Sequence, residues 1–191
     1  MIFFTSDTHF GHDRGFIYEP RGFKSIEEHD EAIIERWNSV VGHDDTVYHL
    51  GDAMLGADHE YGINCLRRLN GQIFMIRGNH DTTRRWEEYQ DEWPHLVTLG
   101  WAHILKTQGY RFYLCHYPTI VSQPEDSKSL RKGLINLCGH YHTKDRWIDW
   151  DKGKIYHVEL DCQNNSPVSL EQVILDLESH KNLPIKNVFL T

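Results

Sequence analysis

The sequence predicts a mixed α/β domain, built as one mixed sheet or as two sheets packed face to face with helices outside. Three observations predict it. Strand-like apolar runs alternate with helical periodicity through the first half of the 191 residues, and strand-like runs dominate the second half. Five of those runs break off into polar side chains suited to metal binding. The length favours one domain over residues 1–191, with a core that needs no disulfide or metal staple.

Met1–Ser6 opens the chain as a strand, and Thr8–Arg21, with its glycines and mixed aromatics, reads as a loop. Ser25-Ile26-Glu27-Glu28 carries the Ser-x-x-Glu pattern that satisfies free amides at a helix start. Ile26, Ile33, Ile34, Trp37 and Val41 then recur at helical spacing, so Ile26–Val40 is an amphipathic helix. Thr46–Leu50 is the second strand. Ala57–Leu69 is a helix closed by Asn70-Gly71 as a left-handed cap. Gln72–Ile76 is the third strand, and Thr83–Trp93 a charged, exposed helix. Ala102–Thr107, Gln108-Gly109 and Tyr110–Cys115 form a hairpin. Leu134–Cys138 and Lys154–Leu160 are further strands, separated by a polar loop with Trp147 and Trp150. A helix or strand lies near Val173–Leu177, and Ile185–Leu190 is a closing strand.

Composition excludes several function classes. No apolar run approaches the roughly 20 residues of a membrane helix, and no basic leader precedes an apolar segment. The formal charge of −8, without a block of Lys and Arg, disfavours stable binding of duplex nucleic acid, which needs a basic face. Small anionic substrates remain compatible where cations offset the acidic balance. Cys65, Cys115, Cys138 and Cys162 are far apart and lack CxxC spacing, so they read as reduced core thiols of a cytoplasmic protein. Histidine departs from the ordinary: there are 14, scattered rather than tagged on, and imidazole is the commonest metal ligand.

The polar breaks concentrate the chemistry. Asp7 and His9 follow the first strand, Asp52 the second, and Asn79, His80 and Asp81 the third. His116 follows the hairpin, and His140 and His142 follow the next strand. Strand ends are where open α/β sheets place ligands. The pooled donors are two carboxylates, one amide oxygen and four imidazoles, with no thiolate. That mixture suits manganese, iron, zinc, cobalt or nickel. Seven donors exceed the needs of one catalytic ion and fit two ions about 3.5–4 Å apart with a shared carboxylate. Taken singly, Asp7 and Asp52 read equally well as caps, Asn79 as a turn residue and His116 as a core histidine.

The ordered set Asp7-Thr8-His9, Gly51-Asp52, Gly78-Asn79-His80-Asp81, His116 and Gly139-His140-Tyr141-His142 resembles the calcineurin-like metallophosphoesterases, whose pattern is DxH, GD, GNH[DE], H and GHxH. The resemblance implies a four-layer α/β/β/α sandwich of two mixed sheets flanked by helices. It implies that Asp7, His9 and His142 hold one divalent ion, that Asn79, His116 and His140 hold the other, and that Asp52 bridges them. His80 is implied as the residue that faces substrate and aids the leaving group. Manganese heads the list of expected metals. The expected activity is hydrolysis of a small phosphodiester or phosphomonoester, such as a nucleotide or cyclic nucleotide, by hydroxide generated between the ions. A nuclease for short or single-stranded nucleic acid and a non-catalytic metal-binding scaffold are the alternatives. After Asp52 stands Ala53-Met54-Leu55-Gly56 in place of GDxxDRG, which disfavours a protein phosphatase.

Further assignments are expectations from position. His12 and Arg77 are candidate substrate contacts, and Asp81 is structural. His49 and His43 are not ligands. His29, His59, His95, His103, His157 and His180 serve packing or surface roles. Oligomeric state is left open.

Overall fold

The computed structural model describes residues 1–56, 58–93, 96–121 and 129–180. Among the described residues nine strands form two sheets. The first has the order β4-β3-β2-β1-β9, from β1 (Ile2–Thr5), β2 (Thr46–His49), β3 (Gln72–Ile76), β4 (Leu96–Gly100) and β9 (Val168–Ser169). Strands β1 to β4 are mutually parallel, and β9 runs antiparallel to β1. The second sheet has the order β5-β6-β7-β8, from β5 (Ala102–Thr107), β6 (Tyr110–Cys115), β7 (Ile135–Cys138) and β8 (Ile155–His157). There β5 and β6 are the expected hairpin, and β6, β7 and β8 are parallel.

Period-two alternation explains why the sheets stack. Phe3, Val47, Ile73 and Met75 point to one face of the first sheet, where Ile33, Ile34 and Trp37 of α2 (Ile26–Val40), Leu66 of α3 (His59–Arg67) and Tyr89 of α4 (Thr83–Glu92) cover them. Phe4, Tyr48 and Ile76 point the other way and meet Phe112 and Leu114 of β6 and Ile135 and Leu137 of β7. Leu170, Val173 and Leu177 of α6 (Leu170–His180) and Trp150 of α5 (Trp150–Gly153) join that second core. The architecture is two mixed sheets flanked by helices, as the sequence predicts.

Local chemistry sets the boundaries. Ser25 accepts the Glu28 N–H at 3.2 Å, and the Glu28 carboxylate reaches back to the Lys24 N–H at 2.8 Å, so α2 starts at Ile26. Asp58 caps α3 through the Tyr61 N–H at 2.9 Å, and the helix therefore starts later than its apolar spacing suggests. The segment expected as a loop before Arg21 contains α1 (Gly15–Tyr18) and a 3-10 turn over Glu19–Arg21. The strand expected over Lys154–Leu160 is only β8, because the chain turns into a 3-10 turn at Leu160–Cys162. Strand β4 has no counterpart among the expected elements. It is a half-exposed edge strand whose parallel partner β3 lies across a helix, so the hydrogen bonds that define it are non-local. The closing strand expected over Ile185–Leu190 lies outside the described residues. Among the described residues, no helix is long and apolar enough to cross a membrane.

Candidate metal centre

Parallel pairing gathers the polar breaks. Because β1, β2 and β3 run in one direction, the residues after each emerge along one rim of the first sheet; parallel β6 and β7 do the same for the second. Short bonds hold the rims in register: Asp7 N–H to Gly51 C=O at 3.0 Å, His9 N–H to Asp52 C=O at 3.1 Å, and Gly139 N–H to His116 C=O at 3.0 Å.

The backbone at this rim is strained. Among the described residues nine non-glycines have positive φ, and five are expected metal donors: Asp7 (59°), His9 (51°), Asp52 (57°), His140 (80°) and His142 (52°). Left-handed backbone is unfavourable for such residues, and its concentration here marks a functional constraint. The motif glycines allow close approach. A Cβ on Gly139 would collide with Ser6 Oγ and the Asp7 carboxylate, and one on Gly78 would meet the Asp52 carboxylate.

All seven expected donors converge. His9 Nε2 lies 3.8 Å from Asp7 Oδ1, 3.8 Å from Asp52 Oδ2 and 3.2 Å from His142 Nε2. His142 Nε2 is 3.7 Å from Asp7 Oδ1. On the other side, His116 Nε2 lies 3.4 Å from Asp52 Oδ2 and 2.9 Å from Asn79 Oδ1, which is also 2.9 Å from His140 Nδ1. Asp52 Oδ2 thus stands between the His9 and His116 nitrogens. Asp7-His9-His142 and Asp7-Asp52-His116 each present three ligand atoms within 4.8 Å of one another.

Each donor is oriented from behind. Asp7 Oδ2 accepts from the Ser6 hydroxyl and from the His140 N–H at 3.0 Å, and Asp52 Oδ1 accepts the His80 N–H at 2.8 Å. His116 Nδ1 lies 2.8 Å from the Leu50 carbonyl, so Nδ1 carries a proton and Nε2 is the nitrogen turned toward the oxygens. His142 Nδ1 lies 3.0 Å from Asp161 Oδ2 and 3.3 Å from an Arg21 terminal nitrogen, and its Nε2 is turned toward His9 and Asp7.

These residues fit a cation. Asp7 Oδ1 is buried with no hydrogen-bond partner, although Asp7 is fully enclosed. A buried carboxylate oxygen without a hydrogen-bond partner needs a positive charge beside it. Burial alone would raise the Asp7 pKa, yet nearby His9 and the His116 and His142 imidazoles hold it well below the usual carboxylate range. Burial alone would depress His116, yet its contact with Asp52 and the charges of Asp7 and Asp52 push it up to about 9. The spot draws positive charge strongly enough that a proton and a metal ion compete for one nitrogen.

The remaining expected residues are placed as follows. The His80 ring is 42% exposed at the rim, 5.5 Å from the His9 ring, with Nε2 3.9 Å from Asp52 Oδ2. The His12 ring lies 5.3 Å from His9 and 6.4 Å from His80, and its Nδ1 has no hydrogen-bond partner. Arg77 turns toward α4: it donates to Asp81 C=O at 2.6 Å and Thr83 Oγ1 at 3.0 Å, and its guanidinium stacks 4.8 Å from the Trp101 ring. Asp81 is a brace, accepting the Asp52 N–H at 2.7 Å, the Gly78 N–H at 2.8 Å and the Tyr89 hydroxyl at 2.9 Å. His49 accepts the Gly51 N–H at Nδ1 and pairs with Thr8 Oγ1 at 3.0 Å, outside the donor set. Arg21 and Asp161 were invisible to pattern reading. Arg21 falls in a segment without periodicity, and Asp161 follows the last motif by 19 positions; only the fold sets them behind His142.

Comparison with known proteins agrees with this geometry. The calcineurin-like phosphoesterase superfamily domain matches residues 1–158. An uncharacterized protein of Methanocaldococcus jannaschii is 32% identical over 184 residues, covering 94% of this chain and 93% of its own. The gene 66 protein of Mycobacterium phage L5 is 40% identical over 160 residues, 73% of this chain and 76% of its own. A protein of unknown function from Aquifex aeolicus shares the fold, with a TM-score of 0.68 at 24% identity over 93% of this chain and 98% of its own. With its five motifs meeting at one rim and the superfamily domain matched across most of its length, the chain belongs to the calcineurin-like phosphoesterase superfamily.

Proposed function

We propose that this protein is a two-metal phosphohydrolase acting on a small phosphorylated substrate, a phosphodiester ahead of a phosphomonoester. The observation that carries the reading is the convergence of seven oxygen and nitrogen donors: two overlapping clusters of Asp7, His9, Asp52, His116 and His142, with Asp7 Oδ1 unpartnered, and Asn79 and His140 joined to them through His116. Asp7, His9 and His142 would hold one ion, Asn79, His116 and His140 the other, and Asp52 would serve both; manganese is the first choice among manganese, iron, zinc, cobalt and nickel. When bound, such a pair supplies Lewis acidity and an activated water for in-line displacement at phosphorus.

The chain's own residues do the remaining work. Asp52 keeps the donor set anionic and, through Oδ1, fixes the backbone of His80. His80 projects its ring to the exposed rim, where it donates a proton to the departing ester oxygen. His12 stands beside it; burial, with the neighbouring His9 and His80, pushes its pKa down to about 4. At neutral pH it is therefore an uncharged imidazole that offers an N–H to a phosphate oxygen. Arg77 is engaged by α4 and Trp101, so its part is to hold the Gly78–Asp81 turn. A formal charge of −8 supports a small substrate over a nucleic-acid duplex. The four free, buried cysteines support a reducing, cytoplasmic setting and a single-domain protein held together by its core.

Hydrolysis of bis(p-nitrophenyl) phosphate and p-nitrophenyl phosphate, with Mn²⁺ and after chelation, tests the reading. Mn²⁺-dependent turnover, faster with the diester, is expected. Failure with both esters by protein shown to carry metal overturns it in favour of a binding scaffold.

A further inference from the structure

Behind the Asp7-His9-His142 triad runs a buried chain of charged side chains. Asp30 accepts the Gly11 N–H at 2.8 Å and lies 2.6 Å from His29 Nδ1. His29 Nε2 lies 2.9 Å from an Arg21 terminal nitrogen. The Arg21 fork reaches Asp161 through Nε at 3.2 Å and a terminal nitrogen at 2.7 Å, and Asp161 meets His142 Nδ1. The same terminal nitrogen donates to the Asp7 carbonyl at 2.8 Å. Lys144 Nζ, at 3.7 Å, is a further cation beside Asp161.

A guanidinium only donates and a carboxylate only accepts, and these two facts set the directions of the bonds. His29 Nε2 must accept from Arg21, so its proton sits on Nδ1 and goes to Asp30. His142 Nδ1 has two neighbours, Asp161 Oδ2 at 3.0 Å and an Arg21 terminal nitrogen at 3.3 Å; the carboxylate is the closer and only accepts, so Nδ1 donates its N–H to Asp161 and Nε2 is left for a metal ion. Arg21 meanwhile anchors the backbone of Asp7, one of the left-handed donors. Burying an ion pair is a poor source of stability, so a geometric role is the better account of this one. Asp161 also lies beyond the 158 residues that the superfamily domain matches.

We infer that Arg21 and Asp161 are positioning residues that set the affinity of the ion held by Asp7, His9 and His142, by fixing the His142 tautomer and the Asp7 backbone, and leave the ion beside His116 largely unaffected. The inference rests on the two-metal reading. His116 has its own orienting partner, the Leu50 carbonyl, and does not touch this chain.

The test is Mn²⁺ binding to the full-length protein by calorimetry, with electron paramagnetic resonance to separate a lone ion from a coupled pair. In Asp161→Asn, one of the two ions is expected to bind about 10–100-fold more weakly, the range for loss of a ligand-orienting partner. The other should keep close to its wild-type affinity, so at limiting Mn²⁺ the spectrum changes from pair to lone ion. Arg21→Lys, which keeps the charge without the fork, should weaken the same ion by a smaller factor. Asp149→Asn, a buried carboxylate beside His157 and away from the donors, should change neither. If Asp161→Asn does not fold, the histidine ¹⁵N spectrum of the zinc-loaded wild type decides: a proton on His142 Nδ1 supports the inference, and one on Nε2 overturns it. Wild-type affinities for both ions in Asp161→Asn, or equal loss of both, also overturn it. A wild type that binds no second ion overturns the two-metal reading itself.

Discussion

The two sheets equip one site in different ways. The first supplies the oxygen donors, Asp7, Asp52 and Asn79, together with His9; the second supplies only imidazoles, His116, His140 and His142. Each sheet also orients donors of the other. The His140 N–H, from the second, holds Asp7; the Leu50 carbonyl, from the first, holds His116. Asp52 is the exception, braced within the first sheet by the His80 N–H and, through its own N–H, by Asp81. The difference teaches that Asp52, the carboxylate we propose to be shared by two ions, is the donor least dependent on how the sheets are docked, and that the outer donors report docking directly.

The strongest way to break this picture is Asp52→Asn. Removing the shared charge should lower turnover by ~10³-fold or more and weaken both ions together, as read by metal content after dialysis. Unchanged metal content would remove Asp52 from the shared position. His80→Ala comes next, with turnover falling ~10²-fold while metal content stays near that of the wild type; loss of metal would make His80 a donor. Gly139→Ala strikes the docking itself, since its Cβ would meet Ser6 and Asp7 from the opposite sheet. A loss of about 1–3 kcal/mol by urea denaturation is expected, with weakened metal binding; an unaffected fold would show that the sheets have room to part.

An effect of comparable size, read in pH, sharpens the first sheet's part. His49 is neutral when folded, its pKa pushed down to about 4 by burial against 6.5 when free. Between those values the unfolded chain carries the extra proton. Stability is therefore full above pH 6.5 and declines as pH falls toward 4, by up to ~3 kcal/mol. Urea midpoints at pH 7.5 and pH 5 should show the decline, and His49→Gln should flatten it.

What the sequence revealed and what it hid divide along a physical line. The alternation of Phe3/Phe4, Val47/Tyr48 and Ile73/Phe74 is local, and it marks the stacked sheets without any knowledge of pairing. The donors are legible because each follows an apolar run and carries a chemistry that core packing does not call for. Strand β4 is not, because its identity depends on a partner more than 20 residues away. Arg21 and Asp161 are not, because an arginine after Pro20 and an aspartate before Cys162 look like ordinary surface residues until the fold buries them together. Arg77 shows the converse: its place beside the GNHD turn suggested substrate, but two aromatic rings and a carbonyl occupy it.

The five left-handed donors carry a cost that selection for robustness alone would erase. Each holds a backbone shape that glycine or asparagine adopts more easily, at roughly 1–2 kcal/mol per residue. A library screened only for survival of heating should drift toward those two residues at positions 9, 140 and 142, and should lose turnover as it gains endurance. Heat tolerance and catalysis would then be in conflict at a few backbone hinges of the rim, well away from the hydrophobic layers that most stabilisation schemes address.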